Sequence, residues 1–79
     1  MKAVAYVTKI IPMEIEVPDE IVKTIWAEDE KDYYTVEYHN AVDALVRFIR
    51  KKYKIDYYND DYSYLEGEKN GEIVPILAY

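Results

Sequence analysis

The chain of 79 residues contains no cysteine, which excludes disulfides and thiolate metal sites and suits a reducing compartment. It has two glycines, too few to build a phosphate-cradling loop. Ser63 is its single serine and His39 its single histidine, and neither has a partner at the spacing nucleophilic catalysis or metal ligation needs. The apolar residues at positions 2–7 are far too few for a signal peptide or a membrane span. These absences point to a soluble, cytoplasmic, non-enzymatic protein without a cofactor.

Basic charge is scarce as well, with ten Lys and Arg against sixteen Asp and Glu. The scarcity is uneven. Residues 47–54 carry five bases and no acid, whereas residues 55–79 carry six acids and one base. Phosphate contacts require a broad basic surface, so direct nucleic-acid binding is disfavoured. An acidic surface attracts a basic protein partner instead. Phe and Trp occur once each, beside ten tyrosines. Tyrosine supplies core with its ring and keeps its hydroxyl wet, and it is a frequent interface residue.

The length fits a single domain spanning residues 1–79. The clearest element is a helix over Asn40–Tyr53. Asn40 suits the N-cap, and Val42, Leu45, Val46, Ile49 and Tyr53 form an apolar stripe. Asp43 and Arg47 are spaced as a helical ion pair, and the bases of the last turns complement the dipole. Ala3–Ile11 has strand composition, and Met13, Ile15 and Val17 alternate with Glu14 and Glu16. Ile10-Ile11-Pro12 is a poor turn, which favours one bent or bulged edge strand over two consecutive ones. Pro18, Asp19 and Glu20 open a short helix with Ile21, Val22, Ile25 and Trp26 on its apolar side, followed by the charged loop 28–32. Residues 33–38, YYTVEY, have strand propensity. Residues 54–58 form a short strand or extended connection, and Asn59-Asp60-Asp61 a turn.

Asn70-Gly71 is a type I′ hairpin signal. It pairs Lys69 with Glu72, Glu66 with Pro75, Leu65 with Ile76 and Tyr64 with Leu77. Residues 72–79 then form an edge strand that tolerates Pro75. The expected architecture is α+β, an antiparallel sheet of four or five strands with two helices packed on one face.

Asp56, Asn59, Asp60 and Asp61 lack the glycine and the downstream bidentate acid of a calcium loop. Arg47, Arg50, Lys51, Lys52 and Lys54 form a basic cluster that reads as a solvated helix end. The suggestive constellation is Asp56, Tyr57, Tyr58, Asp60, Asp61, Tyr62, Tyr64 and Glu66. Tyrosines interleaved with carboxylates can present rings and negative charge on one surface, as nucleic acid presents bases and phosphates.

Glu28-Asp29-Glu30 with Asp32, and the segment 56–68, give the chain the acidity, and with its size and lack of cysteine the look, of small inhibitors from phages and mobile elements. That group includes nucleic-acid mimics and anti-CRISPR proteins and shares no defining motif. The resemblance implies inhibition of a nucleic-acid-binding host protein, such as a CRISPR nuclease, by the acidic, tyrosine-bearing surface. The other reading is an assembly module, a homodimer in its simplest form, that pairs its exposed C-terminal edge strand.

Overall fold

The computed structural model describes residues 1–31 and 34–78. In chain order they form β1 (Lys2–Val7), β2 (Ile11–Glu16), α1 (Asp19–Asp29), α2 (Val36–Tyr53), β3 (Tyr62–Lys69) and β4 (Glu72–Ala78). The four strands make one antiparallel sheet in the order β2-β1-β3-β4. The architecture is the expected α+β, with four strands rather than five.

Alternation along the strands sorts the sheet into two faces. Ala3, Ala5, Ile15, Leu65 and Leu77 are buried against Val22 and Ile25 of α1 and Leu45, Val46 and Ile49 of α2. Both helices therefore cover the same face. Small Ala3 and Ala5 of the inner strand β1 are fully covered on this face. Gly67 leaves room for Ile76, since a Cβ there would lie 2.9 Å from the Ile76 Cδ1.

The expectation of one bent strand over residues 3–17 is overturned. β1 and β2 are separate strands, paired from Lys2↔Glu16 to Val7↔Ile11. Their turn runs through Thr8 and Lys9 at φ 52° and 73°, left-handed conformations adopted without glycine. Lys9 and Ile10 donate backbone hydrogen bonds to the carbonyls of Tyr6 and Val7, and Thr8 donates to Asp61 across the fold. That distant bond helps hold a turn that local sequence does not favour. Pro12 sits on the sheet edge, where a missing donor is tolerated.

The strand expected at 33–38 is also overturned where it is described, Tyr33 itself lying outside the described residues. α2 begins at Val36, and its N-cap is Thr35 rather than Asn40. The Thr35 hydroxyl accepts from the Tyr38 amide at 3.0 Å and donates to the Glu28 carboxylate of α1 at 2.9 Å. One side chain thus caps α2 and ties it to the end of α1, and this contact outweighs the strand propensity of the local residues. At the other end Lys54 closes the helix in the left-handed conformation, φ 62°. The connection is shorter than expected, residues 54–56, and the turn begins earlier, spanning 57–60 with the Asp60 amide donating to the Tyr57 carbonyl. Asp43 does not pair with Arg47; it accepts the Tyr58 hydroxyl at 2.7 Å.

The Asn70-Gly71 hairpin forms as expected, with φ 53° and 84° and the pairs Lys69↔Glu72 and Glu66↔Pro75. Beyond Pro75 the register departs from the simple count. A bulge at Ile76 sets Leu65 opposite Leu77 and Tyr64 opposite Ala78. Adjacent strand residues ordinarily point to opposite faces. The extra residue lets Ile76 and Leu77 both bury, at 5% and 4% exposure.

Candidate functional site

The constellation drawn from residues 56–66 separates into two places. Asp56 is buried, and its carboxylate accepts from the Tyr58 amide at 3.0 Å and the Asn59 side chain at 2.8 Å, with Arg50 at 3.5 Å. The Asp61 carboxylate accepts the Asp56 amide at 3.1 Å, and the Asp61 amide bonds back to the Asp56 carbonyl. These two acids are spent on closing the loop. Asp60 is exposed at its left-handed tip.

Tyr62 is fully buried with Tyr57 packed against it, ring centroids 5.4 Å apart, so Tyr62 belongs to the core and is withdrawn from any partner surface. A shift of register between β1 and β3, Ala5↔Leu65 but Val7↔Tyr62, turns this ring inward. Burial pushes its hydroxyl pKa strongly upward. Tyr58 is exposed, and its bond to Asp43 raises its pKa.

Tyr64 and Glu66 lie elsewhere, on the sheet face that no helix covers. The register aligns their neighbours. Glu14, Val4, Glu66 and Pro75 form one row across the four strands. Glu16, Lys2, Glu68 and Ile73 form the next, the register carrying Lys2 opposite Glu68. Strands stand about 4.8 Å apart, and same-face residues about 6.7 Å apart along a strand. Four carboxylates are thereby spread over one small surface, with Lys2 beside Glu14 and the Met1 ammonium 3.5 Å from Glu16. A groove of about 210 Å³ runs between Lys2, Val4, Glu14, Glu66, Glu68 and Ile73.

Aromatic material borders the groove. Tyr6 and Tyr64 meet edge to face at 5.5 Å, and the Tyr6 hydroxyl donates to Glu66 at 2.9 Å. That hydrogen bond, with burial second, raises the Tyr6 pKa; burial, with Glu66 second, raises that of Tyr64. Both phenols are therefore neutral at ordinary pH, and the negative charge of the face resides in its carboxylates. Lys2 reaches Glu14 at 3.7 Å across an exposed pair, an interaction worth well under about 1 kcal/mol. Ile73, 64% exposed, supplies an apolar margin.

Sequence reasoning missed Tyr6, Glu14, Glu16 and Glu68 as members of this surface. Alternation along residues 13–17 does place Glu14 and Glu16 on a solvent face. That β1 lies between β2 and β3, bringing Tyr6 to Glu66, is a matter of topology.

A second hollow of about 560 Å³ lies between α1 and the β3–β4 turn, lined by residues including Trp26, Glu30 and Lys69. Three of its polar groups are engaged within the fold. The Trp26 indole donates to the Pro75 carbonyl at 2.9 Å, and Lys69 lies 3.4 Å from Glu30 and 5.7 Å from the centre of the Trp26 ring. His39 is exposed and touches the Tyr34 and Tyr38 rings edge-on. Among the described residues no three His, Asp or Glu side chains are grouped to hold a metal ion, and no helix is long and apolar enough to cross a membrane. Comparison with protein-family models, with curated proteins and with solved structures finds no match.

Proposed function

We propose that this protein is a non-enzymatic binding module that docks the helix-free face of its sheet on a basic protein surface. The observation carrying the reading is the row arrangement of that face, with Glu14, Glu16, Glu66 and Glu68 gathered beside Tyr6 and Tyr64. A functionally neutral open face would intersperse charges of both signs. Carboxylates beside neutral aromatic rings suit arginine in particular, whose planar guanidinium stacks on rings and takes two hydrogen bonds from one carboxylate.

The sharper form is inhibition of a nucleic-acid-binding host protein, such as a CRISPR nuclease, by occupation of its phosphate-binding groove. Carboxylates would stand for phosphates and the tyrosines for base faces. Support for this form comes from the charge and aromatic content of the face. Self-assembly through the β4 edge has less behind it, because Pro75 and the Ile76 bulge interrupt the ladder a partner strand would extend.

The test is salt-released affinity capture from a bacterial lysate, comparing wild type with Glu14→Lys/Glu66→Lys and with Asp60→Lys. The expected result is that the first variant loses a nucleic-acid-binding protein which the second retains. Equal capture by all three would sink the open-face reading.

A further inference from the structure

The molecule carries a second unpartnered charged surface, of opposite sign and on its other side. Arg47 and Lys51 are four apart on α2 and exposed, on the side away from buried Leu45, Val46 and Ile49, and exposed Lys54 follows as the left-handed C-cap. Among the described residues none of the three forms a salt bridge. Arg50 is partly engaged by Asp56, and Lys52 lies over the Phe48 and Tyr53 rings. Since α2 covers the inner face of the sheet, its basic stripe points away from the acidic face.

We infer that the open acidic face of one copy takes the basic α2 stripe of a second copy. This deepens the reading of that face as a binding surface and rests on it. It names the occupant whose complementary chemistry is visible in the molecule itself, three unpaired cations against carboxylates and neutral rings. The two patches look in opposite directions, so a two-fold dimer cannot use both. The contact is heterologous and open-ended, each copy offering a free patch at either end. Four strands at about 4.8 Å spacing give a footprint that buries less than about 1,200 Å², the range of weak, transient contacts. A basic protein partner would compete for the same face, so self-docking holds the face occupied until such a partner displaces it.

Net charge sets an unusual salt response. Each copy carries −6, so whole molecules repel when screening is weak. Near 0.1 M salt the screening length is about 10 Å, which mutes the distant repulsion and spares contacts at salt-bridge range. Association is strongest there and disappears near 1 M.

The experiment is sedimentation and light scattering of the full chain, from micromolar to millimolar concentration, at 0.1 M and about 1 M salt. The expected result is an average mass that rises with concentration at the lower salt without stopping at a dimer. Glu14→Gln/Glu66→Gln and Arg47→Gln/Lys51→Gln, each with wild-type circular dichroism, are expected to be monomeric alone. Mixed, they form a one-to-one pair and stop, because each retains one working patch. Monomeric wild type throughout overturns the inference, as does self-association that survives in both variants. Titration with a poly-arginine peptide, followed by the NMR signals of the Tyr6 and Tyr64 rings, separates the two readings. Shifted rings in a chain that stays monomeric overturn self-docking and leave the partner reading standing. Unmoved rings in a monomeric chain overturn both.

Discussion

Tyr62 is the residue that most clearly divides structural from functional tyrosine. Its ring fills the core, and its hydroxyl has no hydrogen-bond partner among the described residues. A buried, unsatisfied hydroxyl costs about 1–3 kcal/mol, so removing it removes a penalty. Tyr62→Phe is expected to leave the fold unchanged and to raise stability by about 1 kcal/mol, read as a higher urea midpoint. A loss of stability would mean that the hydroxyl has found a partner. Glu28 shows the opposite economy. It is buried, and Lys31 first and the Thr35 hydroxyl second hold its carboxyl below its ordinary value of 4.5. The unfolded chain therefore takes up this proton before the folded one does. The stabilisation is complete above 4.5 and is lost as pH falls through the lower folded value. Urea midpoints measured from neutral to acid pH are expected to fall less steeply below 4.5 in Glu28→Gln than in wild type. Parallel curves would remove Glu28 from the acid response.

At the scale of elements, α2 exposes the competition between local propensity and tertiary contact. Asn40 is a good cap by residue type, yet it lies inside a helix that starts four residues earlier, at Val36. Thr35 wins because its hydroxyl both accepts from Tyr38 and donates to Glu28. Thr35→Ala is expected to cost about 1–2 kcal/mol. Asn40→Ala is expected to be neutral or to stabilise by about 0.5 kcal/mol, because alanine is the better interior residue. Paired denaturation curves decide, and the reverse order of costs would restore Asn40 as the cap. The β3–β4 hairpin was legible for as far as its turn controls it. Asn and Gly at positive φ dictate the first four pairs, and the bulge then follows from the demand of Ile76 and Leu77 for the same core. The β1–β2 turn was illegible for the complementary reason. Thr8 and Lys9 carry no turn preference, and Asp61, more than fifty residues on, supplies a bond that holds Thr8.

Across the whole molecule, charge is segregated rather than mixed. Folding gathers four glutamates from β2 and β3 onto one face of a protein that is already acidic overall. A surface selected only for solubility has no reason to crowd like charges. Glu68 sits in the row of Lys2 and Ile73 with no salt bridge among the described residues. Glu68→Gln is accordingly expected to change stability by less than about 0.5 kcal/mol, toward greater stability at low salt, while weakening partner capture. Thermal denaturation at two salt concentrations, set beside the capture assay, checks both. A clear destabilisation would assign the acid a structural role instead.

The sequence by itself determined the α+β class, the amphipathic core of α2, the start of α1 just after Pro18 and the Asn70-Gly71 turn. Each depends on contacts within a few residues, or on hydrophobic periodicity that any compact fold must honour. It also determined that the surface would be acidic and rich in tyrosine. Only the tertiary structure decided which tyrosines remain on that surface. Tyr62 turns inward through a shift in strand register, Asp56 and Asp61 are consumed in closing a loop, and Tyr6 reaches Glu66 across sixty positions. The physical reason is that a sheet face is assembled from strands remote in sequence. Its members are set by strand order and register, which burial of the opposite face selects.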